Sequence, residues 1–359
     1  MDQIEKLGQL FLFGFAGLEP DERILRMIRD FGLGGVILFS RNIGDPLQTA
    51  KLVEQLQGEA EIPLFIGIDQ EGGRVCRLTD HFTRFAGSRA LGKAGSFDLA
   101  RAFGQATGEE LSAVGVNLDF APVLDVDSNP RNPIIGSRSF GEDPELVGRL
   151  GCAVIQGLEE KGIIACGKHF PGHGDTVLDS HLALPEVSAG LKTLRERELI
   201  PFVRALDCGL GTLMTAHVRY PALDPELPAT LSPKIIDKIL RKELGFQGVV
   251  FSDDLEMKAV DEQFGIEASA VQAINAGVDV VLICKEEGKQ EKGMAAVGKA
   301  AETGEISQSR IDEAVNRVLA LKKQRLASPF RAEPPLIAKK LRSKEHLELA
   351  DTIQDYWTV

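Results

Sequence analysis

Three of the six histidines in this 359-residue chain fall within thirteen residues. They lie in Lys168-His169-Phe170-Pro171-Gly172-His173-Gly174-Asp175-Thr176 and in the Asp179-Ser180-His181 that follows. Pro171, Gly172 and Gly174 interrupt any helix, so the segment reads as a shaped loop. Clustered histidines and carboxylates suit two chemistries. One is metal binding, but the strong spacings, H-E-x-x-H on a helix or paired C-x-x-C, are absent, and no metal is expected. The other is proton transfer by a histidine that a carboxylate orients. Asp179 and His181 are two residues apart, close enough for the carboxylate to hold the ring and stabilise its cation. Proton transfer is the preferred reading.

A second cluster is Ser252-Asp253-Asp254. One carboxylate there suits a nucleophile or a metal ligand; the plainer role is a helix N-cap before Leu255-Glu256-Met257, which accounts for one aspartate but not two. A third is Asp69-Gln70-Glu71-Gly72-Gly73-Arg74-Val75-Cys76-Arg77, where two glycines permit a tight turn between carboxylates and guanidiniums. Such a loop suits hydroxyl-rich ligands, or else is a solvated salt-bridge loop. A fourth is the Pro/Asn-rich stretch from Asn129 to Phe140, which carries Arg131 and Arg138. Long loops of this kind are often functional. Phosphate readings fail on order. Gly32-Leu33-Gly34-Gly35 precedes an apolar run instead of following one, and no G-x-x-x-x-G-K-[ST] loop occurs. His217 is ambiguous, a satisfied structural histidine being the preferred reading, and His81 and His346 have no sequence neighbours that suggest chemistry.

The elements that must position these groups recur with a clear rhythm. Short apolar runs span 9–15, 34–40, 63–69, 117–123, 162–168, 211–217, 248–254 and 277–283. Most are continuous rather than alternating, as expected of parallel strands buried on both faces. Between them, 20–31, 45–58, 97–114, 143–160, 191–208, 233–244 and 266–276 carry helical spacing. Eight alternating units predict an α/β fold, a closed (β/α)8 TIM-type barrel, rather than an open doubly wound sheet. In such a barrel, chemistry sits at the C-terminal ends of strands. Here those ends read Ser40-Arg41-Asn42, Asp69-Gln70-Glu71, Asp125, Lys168-His169, His217 and Ser252-Asp253-Asp254. Residues 307–325 read as a further amphipathic helix. The expected organisation is one catalytic domain over 1–326 and a tail over 327–359, a Pro-rich linker with a short helical stretch near 343–354.

Composition narrows the class. The chain is 43% apolar and 26% charged, globular values that exclude a disordered chain. A net charge of −12 argues against a nucleic-acid binder, which needs a basic face. No apolar run approaches the ~20 residues of a membrane span, and the mixed charges ahead of residue 10 are unlike a secretory signal. Five widely spaced cysteines without a C-x-x-C pair read as small buried hydrophobes in a reducing compartment, so a cytoplasmic location is expected.

On these residues the chain resembles family 3 glycoside hydrolases, and most closely the single-domain β-N-acetylglucosaminidases of bacterial peptidoglycan recycling. The resemblance covers roughly residues 1–325. Its most specific element is K-H-F-P-G-H-G-x4-D-S-H from Lys168 to His181. DQEGGRVCR (69–77), NPIIGSRSF (132–140), MTAHV (214–218) and FSDDLEM (251–257) follow the family's order. The resemblance implies Asp253 as the nucleophile of a covalent glycosyl-enzyme and His181 as general acid/base, with Asp179 as its dyad partner. It implies Asp69, Arg77, Arg138, Lys168 and His169 as sugar-binding residues. Two-domain members take their acid/base from a glutamate outside the barrel; this chain ends about where such a domain would begin, so its own loop is expected to supply the acid. A histidine in that role departs from the usual carboxylate pair of retaining enzymes. The expectation is a retaining exo-β-N-acetylglucosaminidase acting on a small carbohydrate or muropeptide, with no metal or organic cofactor. A β-glucosidase, a glycoside phosphorylase, a metal-dependent hydrolase and a catalytically silent sugar-binding barrel are the alternatives.

Overall fold

The computed structural model describes residues 1–180, 183–326 and 330–358. His181 therefore lies outside the described residues. Each of the eight apolar runs contains a strand. β1 (Phe11–Phe13), β2 (Gly35–Leu38), β3 (Phe65–Ile68), β4 (Leu118–Asp119), β5 (Ile164–Phe170) and β6 (Thr212–Thr215) are followed by a hairpin. That hairpin is β7 (Arg219–Tyr220) and β8 (Asp224–Pro228), and β9 (Val249–Asp254) and β10 (Val280–Ile283) complete the set. Neighbours pair in parallel in the order β1-β10-β9-β6-β5-β4-β3-β2, and β1 pairs with β2 to close the barrel, as the eight-unit pattern predicts. The antiparallel β7–β8 hairpin stands outside it.

Side chains alternate along the strands because successive Cβ atoms point to opposite faces. Leu12, Ile37, Phe65, Leu118, Phe120, Ile164, Met214, Val249, Phe251 and Leu282 pack inside the barrel. Phe11, Phe13, Val36, Leu38, Ile66 and Ile68 face the helices. Phe251 meets Phe65 and Phe120 edge-on, with ring centroids 5.7 and 5.6 Å away. The helices start where their sequences provide caps. Asp21, Asp45, Ser96, Asp143 and Ser307 each accept a backbone N–H of the first turn.

The lower, N-terminal end of the barrel is closed by the helix Gln308–Arg325. Its Val318, Leu321 and the adjacent Leu326 join the interior cluster. Lys322 is buried there and donates to Gln9 Oε1 and Gly34 O, both at 2.7 Å, with Nζ 4.8 Å from the Phe65 ring centroid. At the same end of the barrel, away from Lys322, buried Asp279 binds Arg241, Arg310 and Arg317 at 2.6–3.1 Å.

Several local readings need correction. The helix Glu287–Thr303 was not anticipated. Residues 234–243 and 194–198 are wound as π-helix instead of α-helix. Cys76 and Cys208 are only half-buried, unlike Cys152, Cys166 and Cys284. The tail holds two helices, Pro334–Lys340 and Lys344–Thr358, that pack on Ser88–Ala94 and Phe97–Ala113. The anchor is buried Glu110, which accepts Thr83 N and Oγ1, Arg342 N and His346 Nδ1 at 2.6–3.1 Å. His346 thus has a carboxylate partner that its sequence neighbours do not reveal.

Candidate active site

The upper rim is organised by two buried carboxylates that hold their neighbours in place. β3 ends in Asp69-Gln70-Glu71, and the chain then reverses through Gly72 and Gly73 at φ +80° and +60°, which suits residues without a Cβ. Gln70 Oε1 accepts the N–H groups of Arg77 and Leu78 at 2.9 and 3.0 Å and fixes the return of this loop. Glu71 points inward, buried, and accepts Arg138 Nε and Nη2 at 2.8 and 2.7 Å and Lys168 Nζ at 2.7 Å. Lys168 also donates to Asp69 Oδ1 at 2.7 Å, and Asp69 Oδ2 accepts Arg77 at 3.2 Å. The result is an alternating chain of charges, Arg77–Asp69–Lys168–Glu71–Arg138. Burial alone would raise Asp69 and Glu71, but the adjoining cations outweigh it and hold both below the ordinary carboxylate range. Burial alone would lower Lys168, but Asp69 and Glu71 hold its ammonium above the usual value.

The second buried carboxylate is Asp125. Its Oδ2 accepts His169 Nδ1 at 2.7 Å, and its Oδ1 accepts the backbone N–H groups of His169 and His173 at 3.2 and 2.6 Å. With Nδ1 committed as donor, His169 turns Nε2 toward Arg138, 3.5 Å away. Burial works to raise Asp125, but His169 and His173 hold it below the ordinary range. The peptide bonds Lys168–His169 and Phe170–Pro171 are cis. His173 is buried between Thr176 Oγ1 at 3.0 Å and Ser180 Oγ at 3.1 Å. Burial, with His169 nearby, pushes it down to about 4, so it is neutral at pH 7 and shapes the loop. Asn132 Nδ2 donates to the carbonyls of His173 and Gly174 at 2.8 and 2.9 Å, clipping the 129–140 loop onto the loop after β5.

The two aspartates after β9 divide their work. Asp254 Oδ1 accepts the N–H groups of Glu256 and Cys284 at 3.1 and 3.2 Å, and its carbonyl meets His217 Nε2 at 2.9 Å. Burial, then Glu256, push its carboxyl up to about 7. Asp254 is the structural turn residue. Asp253 is half-buried and accepts the Asp254 N–H at 2.8 Å. Burial first, then Asp254, Glu256, Asp69 and Asp253, raise the buried thiol of Cys284, so the ends of β3 and β9 share one rim. Asp179, on the loop after β5, is near enough to Arg74 to oppose the lowering of its pKa by burial and Arg138. Among the described residues, no three His, Cys, Asp or Glu side chains are disposed to hold a metal ion.

Residues 3–321 match the Glycosyl hydrolase family 3 N terminal domain. The chain belongs to glycosyl hydrolase family 3. A β-hexosaminidase of Thiobacillus denitrificans is 44% identical over 284 residues, 77% of this chain and 78% of that protein. A β-hexosaminidase A of Pseudoalteromonas piscicida is 37% identical over 324 residues, 82% of this chain, and the chain spans only 54% of that relative's length. In solved structures, a family 3 β-N-acetylglucosaminidase from Paenibacillus sp. str. FPU-7 superposes with a TM-score of 0.95 at 43% identity. That superposition covers 99% of this chain and 69% of the other.

Within this family 3 barrel, five of the residues singled out in the sequence form one bonded group. Arg77, Asp69, Lys168 and Arg138 are joined through Glu71, and His169 adjoins Arg138. Asp253 and Asp179 stand at the same rim. Arg131 is exposed and makes no side-chain contact with this group among the described residues. Sequence reasoning placed Glu71 and Asp125 in suggestive segments but gave neither a role. Their signal was an acidic residue beside cations at a strand end, which cannot by itself separate a buried counter-ion from a surface one. Asp119, buried under the group with Oδ2 unpartnered, was missed; burial pushes its carboxyl up to about 7.

Proposed function

We propose that the chain is a retaining exo-β-N-acetylglucosaminidase that releases terminal β-linked GlcNAc by double displacement. Asp253 attacks the anomeric carbon and forms a glycosyl ester while His181, oriented by Asp179, gives its proton to the departing oxygen. His181 then takes a proton from water, and that water displaces Asp253 with a second inversion. Asp69, Arg77, Arg138, Lys168 and His169 grip the sugar hydroxyls through charge-assisted hydrogen bonds. The natural substrate in this reading is a GlcNAc–anhydro-muropeptide of cell-wall turnover, met in the cytoplasm.

The observation that carries the reading is the division of labour after β9. Asp254 is held by two backbone N–H groups, and half-buried Asp253 stands at the same rim as the Arg77–Asp69–Lys168–Glu71–Arg138 chain. The likeness to the Paenibacillus β-N-acetylglucosaminidase, and to the Thiobacillus β-hexosaminidase, supports the GlcNAc specificity. The test is a fluorinated slow GlcNAc substrate followed by peptide mapping, with proton NMR of the first product. An ester on Asp253 and none on Asp254, with a β-configured product, is expected. A label elsewhere or an α-configured product overturns the mechanism, and faster release of nitrophenol from glucoside than from N-acetylglucosaminide overturns the substrate.

A further inference from the structure

The helices Pro144–Glu160 and Ile200–Asp207 flank β5 and pack closely against each other. They nearly touch at Gly148, where a Cβ would lie 2.9 Å from Arg204 Cβ and 3.2 Å from Pro201 Cα. About one turn further along each helix stand Cys152 and Cys208, four residues after Gly148 and Arg204 respectively. Cys152 donates its S–H to Arg204 O at 3.0 Å, and Cys208 donates to Ala205 O at 3.2 Å. Those carbonyls belong to consecutive residues, so both sulfurs lie at the C-terminal turn of the same helix. A disulfide asks for Cβ atoms about 3.5–4.5 Å apart, a span that two helices touching one turn earlier, at Gly148 and Arg204, can offer.

We propose that Cys152 and Cys208 are a redox modification site, a dithiol that a small hydroperoxide converts into an intramolecular disulfide. The Cys208 thiol lowers Cys152 and is itself raised by it, so Cys152 is the first to give up its proton and is the attacking sulfur. Its sulfur attacks one oxygen of hydrogen peroxide, the O–O bond breaks, and the leaving hydroxide departs as water with the proton that Cys152 gave up. Cys152 is then a sulfenic acid. The Cys208 sulfur attacks it, the S–S bond forms, the S–O bond breaks, and hydroxide leaves as water with the Cys208 proton. Two thiols and one peroxide become one disulfide and two waters. The other cysteines are poor competitors. Burial pushes Cys166 up to about 12 and raises Cys284 well above its ordinary value, and burial likewise raises Cys76.

The bond would join the helices on either side of β5 and enclose the segment that carries Lys168, His169 and Asp179. The test treats the reduced full chain with hydrogen peroxide, then alkylates and digests it without reductant. The expected product is a peptide pair linked through Cys152 and Cys208, two hydrogens lighter per chain, with three of the five thiols still alkylated. Cys208→Ser should stop at a sulfenic acid on Cys152 that a cyclic dione captures, and Cys152→Ser should give no linked peptide. Both variants should keep wild-type turnover while reduced. Five alkylated thiols after treatment, linkage through another cysteine, or chains joined to each other would overturn the proposal.

Discussion

Lys168 and Lys322 are both buried lysines, one at the rim of the barrel and the other at its floor, and their surroundings send them in opposite directions. Lys168 has carboxylates on two sides, Asp69 and Glu71, each 2.7 Å away, and is held as an ammonium. Lys322 has an amide oxygen, a carbonyl and an aromatic face but no counter-charge. Burial pushes it down to about 7. The lesson is that the rim spends several charges to keep one cation charged, whereas the floor tolerates a lysine that gives up its proton. Charge at the rim fits work on a ligand. At the floor, the stem and two hydrogen bonds are enough to close the barrel.

That contrast breaks most easily at the rim. Lys168→Met should leave Glu71 and Asp69 short of a cation inside the protein, costing on the order of 3–5 kcal/mol of stability, as breaking a buried pair does. It should also lower kcat/KM by about a hundredfold on a GlcNAc glycoside, about 2.7 kcal/mol of transition-state binding. Denaturant titration and steady-state kinetics read the two effects. A variant as stable and active as the parent would mean that the charge chain does nothing for either.

Lys322→Met should move stability the other way. The folded pKa of about 7 lies below the unfolded value near 10.4, so the unfolded chain binds the extra proton between those limits and stability rises with pH across them. Below pH 7 the parent carries the full penalty, on the order of 5 kcal/mol at most. The variant should therefore unfold at higher denaturant than the parent at pH 6, lose the rise between pH 7 and 10, and keep activity within about twofold. A parent whose stability is flat from pH 7 to 10 would return Lys322 to the charged state.

The smallest expected effect is at the tail. His346→Ala removes one of four hydrogen bonds to buried Glu110 and should cost about 1–3 kcal/mol, the loss typical of a buried charge-assisted bond. Activity should not change, because the tail helices pack on the outer helices and not on the rim. Thermal unfolding with parallel assays would check both halves.

How far the sequence carried these conclusions depended on the kind of signal. The eight strands were legible because parallel strands buried on both faces leave continuous apolar runs, and the barrel follows from their number. The helix Glu287–Thr303 was not, since its buried face is Gln290, Gly293, Val297 and Ala300, small or polar residues that leave no apolar stripe. β7 and β8 were too short, and β8 too rich in proline, to register. At the site, the strand ends and loops of the sequence already single out Asp69, Arg77, Arg138, Lys168 and His169. Which of them touch was not legible, because Glu71 and Asp125 join segments up to 97 residues apart, the span from Glu71 to Lys168. For His217 the sequence left the role open; the structure gives it Thr230 Oγ1 at 2.8 Å on one nitrogen and Asp254 O at 2.9 Å on the other.

The helix Gln308–Arg325 turns the barrel into a cup. With Val318, Leu321 and Leu326 wedged into its base and the interior filled by Phe65, Phe120 and Phe251, nothing can pass through it. Whatever enters at the rim must leave by the same doorway, in reverse order of depth. In the double displacement proposed above, a sugar seated deepest would wait behind its own leaving fragment until that fragment drifts away, and only then would the vacated space admit a water. The sealed base therefore imposes a sequence of traffic on any two-step reaction in the cup: departure first, solvent second, and the deepest guest last.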